Sequence, residues 1–143
     1  MRLFEIKQTI QYIPVCQDMD NDMDDGYDIA DLRNQAEELV QRCGMHMLRN
    51  DEFNAFALNG ETVVGVLYSS GTDDIHWSLA VDDSYRNQGI AKKLYGYLPV
   101  EEWTNTLTAE LISPFTLEPF VQKLGYSLVD ESARFKVYQL SLS

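Results

Sequence analysis

Residues 79–94 read LAVDDSYRNQGIAKKL, and they change character twice along their length. An apolar run ends at Val81, a polar loop that contains a glycine follows, and apolar residues recur at helical spacing from Ile90. This pattern predicts a buried strand that leads through a loop into an amphipathic helix. The first amides of a helix have no partner inside it and favour an anion. The stretch therefore predicts a site for a phosphate-bearing ligand.

The residue types at this junction fit a pyrophosphate group. Gly89 allows the backbone to approach the ligand closely, and the small Ala91 leaves the ligand room to pass. Arg86, Lys92 and Lys93 supply most of the local positive charge in an acidic chain. We therefore expect the phosphates to lie between this loop and the helix that follows it.

The sequence on either side predicts further strands and helices. The predicted strands lie within residues 3–15 (ended by Pro14) and at 52–58, 62–69, 75–81, 106–112, 126–129 and 134–142. The predicted helices run from the N-cap Asp28 to Gly44, from Gly89 or Ile90 to Pro99, and from the N-cap Thr116 to Gly125. Asn59-Gly60 between apolar runs is typical of a tight hairpin.

These elements define a fold class. A strand, a helix and a strand between residues 75 and 112 predict one parallel pair in an otherwise antiparallel sheet. We expect one α+β domain over residues 1–143. Its mixed, mostly antiparallel sheet has about six to seven strands and is flanked by three to four helices. Trp77 and Trp103 are expected to fill the edge of the core.

Composition excludes several classes of protein. The 143 residues carry 11 Lys+Arg against 23 Asp+Glu, a formal charge of −12, which argues against nucleic-acid and anionic-membrane binding. Two cysteines are too few for a disulfide framework, and their spacing matches no metal motif. The first residues lack the apolar run of a signal peptide, and nowhere is an apolar run long enough to span a membrane. We expect a cytoplasmic protein.

Much of the acid is concentrated in residues 18–31, DMDNDMDDGYDIAD, which contain seven Asp. A calcium loop fails in both registers, because a start at Asp20 puts Asp25 where glycine is needed and a start at Asn21 puts Met23 at a ligand position. No metal site is predicted. Two interpretations stay open: the segment attracts a cationic substrate, or it only adds solubility.

Two motifs carry a resemblance to a known family. Residues 86–91, RNQGIA, resemble motif A of the GCN5-related N-acetyltransferases (GNAT), Arg/Gln-x-x-Gly-x-Gly/Ala. Residues 120–126, FVQKLGY, resemble the later Y-E-K-L-G-F segment of that family. The resemblance covers nearly the whole chain. It implies a GNAT-like fold and acetyl-CoA-dependent transfer of acetyl to a primary amine of a small molecule or a peptide, by a protein that could form a homodimer. If the acidic segment attracts the substrate, that amine belongs to a cationic molecule.

The resemblance also implies where acetyl-CoA lies. The strand at 75–81 would carry a bulge and part from the strand at 106–112, and the gap would hold the pantetheine arm. The residues implied to bind acetyl-CoA are Leu79, Val81, Arg86, Asn87, Gln88, Gly89, Ile90, Ala91 and Lys92.

The chain departs from the family where the leaving thiolate is protonated. Val121 occupies the position of the family's usual acid, a tyrosine, and Pro114 that of a frequent asparagine. The thiolate could leave without a strong acid, or Ser113 or Tyr126 could act through water. Pro119 predicts a shortened helix, since only the first turn tolerates it.

For a general base, Glu110 on the strand that faces the cleft is the first candidate and His76 the second. A water chain is the alternative for an amine of low pKa. Two alternative hypotheses remain beside the enzyme. The first is a GNAT-derived module that binds acyl-CoA or a protein without turnover, which Val121 and Pro114 favour. The second is an acidic interaction protein, which only the net charge supports.

Overall fold

Seven strands and three α-helices follow one another along the described part of the chain. The computed structural model describes residues 9–15, 28–48, 50–86, 88–112 and 114–142. The elements are β1 (Ile10–Pro14), α1 (Ile29–Arg42), β2 (Glu52–Asn59), β3 (Thr62–Ser70), β4 (Asp74–Val81), α2 (Ile90–Tyr95), β5 (Thr106–Ile112), α3 (Glu118–Lys123), β6 (Ser127–Glu131) and β7 (Phe135–Ser141). The predicted acidic segment up to residue 27, the predicted strand residues 3–8, Cys16, Asn87 and Ser113 lie outside the described residues.

The strands form one sheet in the order β1-β2-β3-β4-β5-β7-β6. The predicted parallel pair is confirmed as β4 and β5, and the other pairs in the described residues are antiparallel. The α+β fold, with a mixed and mostly antiparallel sheet, is therefore the one predicted. Among the described residues, none of the helices has the length and apolar character needed to cross a membrane.

β4 and β5 part halfway along their length. Their ladder runs from Asp74↔Thr106 to Trp77↔Ala109, and no pair joins the strands beyond that point. The predicted bulge in β4 is wrong, because β3 and β4 pair without a register shift up to Gly65↔Val81. β5 stays paired with β7 along its whole length. The two strands separate because each follows its antiparallel neighbour, and the gap needs no bulge.

The core has a layer on each face of the sheet. Helix α1 packs on one face, where its apolar residues Ile29, Leu32, Leu39 and Val40 are all buried. Helices α2 and α3 cover the other face through Ile90, Leu94 and Val121. The predicted caps of α1 are confirmed: the Ala30 and Asp31 amides donate to Asp28 Oδ1 at 3.0 and 3.3 Å, and Gly44 has φ +76°.

Three predictions are wrong, two about where a helix begins or ends and one about a residue at the edge of the core. Helix α2 ends at Tyr95 rather than at Pro99, and the chain continues in tight turns in which each amide donates three residues back, the last from Leu98 to Tyr95 at 3.1 Å. Helix α3 begins after Leu117 rather than after Thr116, and Phe115 just before it has φ +59°. Trp103 is 58% exposed, whereas Trp77 is buried as expected.

Helix α2 lies directly on β3 at Gly65. A Cβ placed on Gly65 would lie 3.0 Å from both Ile90 Cγ2 and Leu94 Cδ1, closer than side chains normally pack. The glycine therefore sets how near the first turn of α2 comes to the sheet.

We expect Gly65→Ala to lower the free energy of unfolding by about 1–3 kcal/mol, because the added methyl group overpacks the contact with α2. Urea denaturation measures the change. The sign of the change in the free energy of unfolding distinguishes close packing from open space, because replacing an unhindered strand glycine by alanine raises that free energy by roughly 0.5–1 kcal/mol. A stabilised Gly65→Ala variant would contradict the close packing of α2 on β3.

Candidate active site

A cavity of about 480 Å³ opens where β4 and β5 separate. One wall is formed by Leu79, Ala80 and Val81 at the end of β4, and the facing wall by Glu110, Leu111 and Ile112 at the end of β5. Ligands of sheets with parallel strands commonly bind at the carboxyl ends of those strands. The volume is in the range of small-molecule sites.

The loop between β4 and α2 closes one end of the cavity with backbone amides. Gly89 occupies the N-cap position of α2 with φ +80°, and no side chain caps the first turn. A Cβ built on Gly89 would meet nothing within 4 Å, so its backbone faces open space. Tyr85 lines the cavity beside this loop and accepts a hydrogen bond from Asn59 Nδ2 at 2.7 Å. The Tyr85 side chain is thus held in place, and the backbone at Gly89 stays accessible.

The positive charge at this end comes from two side chains. Arg86 and Lys92 line the cavity. Arg86 Nη2 lies 2.8 Å from Asp83 Oδ1, which orients the guanidinium while leaving it about a third exposed. Lys93 was expected to contribute as well, but it is outside the cavity lining, and its Nζ lies 5.4 Å from the centre of the Tyr12 ring.

The residues expected to bind acetyl-CoA are largely brought together by the fold. The members that line the cavity are Leu79, Val81, Arg86, Gly89, Ile90, Ala91 and Lys92. Gln88 is exposed and stands outside this lining. The arrangement fits acetyl-CoA, because an apolar slot between β4 and β5 leads to open amides and two cations suited to its phosphates.

The two candidates for a general base are placed differently. Glu110 lines the cavity at the first β5 position beyond the paired part of β4 and β5. Its neighbours Ala109 and Leu111 are buried on the α2 face, so the alternation of the strand puts the Glu110 carboxylate on the opposite face. His76 is exposed and paired with Thr108, outside the cavity lining. Only Glu110 of this pair lies at the cavity.

The Tyr126 hydroxyl, one of the two expected to act through water, is already hydrogen-bonded to other side chains of the core. Tyr126 is buried outside the cavity lining, and its oxygen accepts from Trp77 Nε1 at 3.0 Å and lies 2.8 Å from Tyr95 Oη. Burial first, then the hydrogen bond with Tyr95, raises the pKa of Tyr126. Tyr126 therefore keeps its proton. Val121 is fully buried and offers no donor.

Sequence reasoning missed the third wall of the cavity, formed by the segment before α3. Phe115, Thr116 and Leu117 line it together with Phe120 of α3. Their positions depend on the backbone turn at Phe115, which no residue pattern announces. Cys43 at the end of α1 also lines the cavity, and burial raises the pKa of its thiol, so the thiol stays protonated.

The same architecture occurs in solved structures. The ribosomal-protein-S18-alanine N-acetyltransferase of Escherichia coli matches with a TM-score of 0.64 at 14% identity, over 94% of this chain and 95% of that chain. An acetyltransferase of the GNAT family from Staphylococcus aureus Mu50 matches with a TM-score of 0.63 at 16% identity, over 94% and 100%. N-acetyltransferase PseH of Campylobacter jejuni matches with a TM-score of 0.52 at 17% identity, over 67% and 71%. At these identities the likeness concerns the fold.

The sequence itself settles the family. No curated protein matches it significantly. The family model described as "Acetyltransferase (GNAT) domain" matches residues 49–128, more than half of the chain, including β4, the loop after it, α2 and β5. Acetyl-CoA, the co-substrate expected from the sequence, is the acetyl donor of this family. The chain therefore belongs to the GNAT acetyltransferase family.

Proposed function

We propose that this protein is an acetyl-CoA-dependent N-acetyltransferase that acts on a primary amine. One observation carries the proposal: the cavity between the parted strands joins the accessible amides of the β4–α2 loop to the Glu110 carboxylate. A donor held at the loop and an amine held at Glu110 would meet in the gap between the strands. Bringing two reactants together in this way removes a large entropic barrier.

The donor is held by the chain at two places. The first-turn amides of α2, with Arg86 and Lys92, bind the phosphates. The parted edge of β4 from Ser78 to Val81 lacks β5 as a partner and offers its backbone groups to the amides of the pantetheine arm. The thioester supplies an activated acetyl group whose carbonyl is open to attack.

The chemistry needs one proton acceptor on the amine side. Glu110 takes a proton from the ammonium group, directly or through one water molecule, and the free amine attacks the thioester carbonyl. A C–N bond forms and the C–S bond breaks, the nitrogen loses its second proton to water, and the thiolate takes a proton from water. Val121 supplies no proton there, so departure of the thiolate is unassisted by a side chain at that position.

The acceptor is proposed to be cationic, because the Glu110 carboxylate lines the cavity and the chain as a whole is strongly acidic. Burial, together with the charges of Asp51 and Glu110 among smaller causes, raises the pKa of the Tyr68 hydroxyl. Of these two carboxylates, only Glu110 lines the cavity. With a net charge of −12, the chain attracts polyamines, aminosugars and lysine-rich peptides more than neutral amines.

We expect kcat/KM for a polyamine to fall about tenfold between low and high ionic strength, whereas a monoamine changes little, because salt screens exposed charges. Release of free thiol from acetyl-CoA measures both rates. Equal salt dependence for the two amines would remove the cationic acceptor from the proposal.

One test separates an enzyme from a protein that only binds acyl-CoA, the alternative that Val121 and Pro114 favour. Acetyl-CoA is incubated with the protein and a panel of polyamines, aminosugars and basic peptides, and acetylated products are identified by mass spectrometry. An amine-dependent product supports the transferase. Tight acetyl-CoA binding without product from any member of the panel, and without thioester hydrolysis, would support the binding module.

A further inference from the structure

A cluster of side chains ties α3 and the segment before it to β7. We call it the brace, and it consists of Phe115, Glu118, Lys136 and Tyr138. Lys136 Nζ donates to Glu118 Oε2 at 2.7 Å and lies 4.8 Å from the centre of the Phe115 ring. Tyr138 Oη donates to the same Glu118 oxygen at 2.5 Å. Each contact links the segment around α3 to the neighbouring strand.

The side chains of the brace are largely shielded from solvent and joined by hydrogen bonds to a charged group. Tyr138 is 3% exposed, and the side chains of Lys136 and Glu118 are 23% and 22% exposed. The hydrogen bond from Lys136, then that from Tyr138, lowers the pKa of Glu118, which keeps the carboxylate charged. Gln122 Nε2 donates to Tyr138 Oη at 3.1 Å and fixes that hydroxyl as well. Hydrogen bonds to an ionised group are the stronger kind.

The brace holds a backbone conformation that is costly by itself. Phe115 has φ +59°, a left-handed conformation that residues with a Cβ seldom adopt. Such a residue persists where its surroundings hold it, and it often marks a functional site. The Lys136 ammonium over the Phe115 ring is a contact that does so.

The residues held by the brace form one wall of the donor cleft. Phe115, Leu117 and Phe120 line the cavity opposite β4, whereas Lys136 and Glu118 stand behind this wall and outside the lining. α3 has only six residues, and its cleft-facing start has no side-chain cap. A short uncapped helix gains little from its own hydrogen bonds and depends on tertiary contacts.

We propose that Lys136 is a positioning residue for the acetyl donor: by pairing with Glu118 and covering Phe115, it fixes the wall of residues 115–120 at the width that the pantetheine arm requires. The proposal rests on acetyl-CoA as the donor, as proposed above. Lys136 acts through the wall, so its loss changes donor affinity while leaving the amine site at Glu110 unchanged.

The test compares Lys136→Met, Lys136→Arg and Lys123→Met with the unchanged protein. Methionine keeps the aliphatic bulk but loses the charge, and arginine keeps a cation that can pair with Glu118 and stack on Phe115. Lys123 is an exposed lysine on α3 outside the brace and serves as the control. Titration calorimetry gives the Kd of acetyl-CoA, steady-state kinetics give KM for each substrate, and hydrogen exchange of the free proteins follows the amides of residues 115–121.

We expect Lys136→Met to raise the Kd and KM of acetyl-CoA about five- to tenfold, to leave KM of the amine unchanged, and to speed exchange in the wall. Lys136→Arg should restore most of the affinity, and Lys123→Met should match the unchanged protein. Equal donor affinity in Lys136→Met and Lys123→Met would overturn the proposal, as would a fall in kcat alone. Absence of acetyl-CoA binding by the unchanged protein would instead refute the proposed function, and the exchange rates would still show whether Lys136 fixes the wall.

Discussion

Replacing Gly89 by leucine is expected to raise the Kd of acetyl-CoA about a hundredfold or more, which corresponds to roughly 2.7 kcal/mol. Gly89 lies at the N-cap of α2 with φ +80°, and a Cβ there enters open space at the cavity. A leucine side chain would fill the place where the phosphates approach the backbone amides. Titration calorimetry of the variant with acetyl-CoA measures the loss.

The control for this variant is Gly60→Leu. Gly60 also has a positive φ, +63°, and a Cβ on it also meets nothing within 4 Å, but it lies in the turn between β2 and β3. Both variants therefore carry the strain of a left-handed residue, about 1–2 kcal/mol. Only Gly89→Leu should lose binding. Equal affinities in the two variants would refute the placement of the phosphates at the α2 loop.

Replacing Glu110 by glutamine is expected to lower kcat about a hundred- to a thousandfold while the Kd of acetyl-CoA stays unchanged. Glutamine has the size of glutamate but cannot take the proton of the ammonium group, and general-base catalysis is worth about 10²- to 10⁴-fold. The loss should shrink as the pH rises toward the pKa of the amine, near 10.4 for a lysine-type acceptor, because the free amine needs no base. A pH profile of kcat measures this recovery.

The matched change is Glu102→Gln, at an exposed glutamate in the loop before β5 that lies outside the cavity lining. It removes the same charge without touching the site, and we expect its kcat to equal that of the unchanged protein. Full activity of Glu110→Gln at neutral pH would show that water alone removes the proton. A loss that persisted at high pH would point to a role for Glu110 in holding the acceptor.

Much of the fold followed from local patterns. The hairpin at Asn59-Gly60, the caps at Asp28 and Gly44 and the strand–loop–helix around Gly89 each depend on residues close in sequence. The same locality explains why β4, the loop after it and α2 could be predicted from the sequence. Where the prediction failed, a distant contact decided the outcome: β4 has no bulge because β3 pairs with it without interruption.

In the candidate site, the residues of the β4–α2 loop and of β5 could be predicted from the sequence, whereas the wall formed by residues 115–120 could not. Period-two alternation is enough to put Glu110 opposite the buried Leu111. The turn at Phe115 and the pairing of Glu118 with Lys136 join segments that are far apart in sequence, and no residue pattern in either segment announces the other. For the same reason the sequence did not predict Cys43 in the cavity lining, because its place there depends on how α1 packs beside β4.

Titration calorimetry of the unchanged protein with acetyl-CoA is the decisive experiment, because the predictions about activity all depend on donor binding in the gap between β4 and β5. We expect one acetyl-CoA bound per chain, with a dissociation constant in the micromolar range and heat that disappears in Gly89→Leu but not in Gly60→Leu. Absence of binding at tens of micromolar would contradict the proposed donor, and with it the transferase and the acyl-CoA-binding module alike.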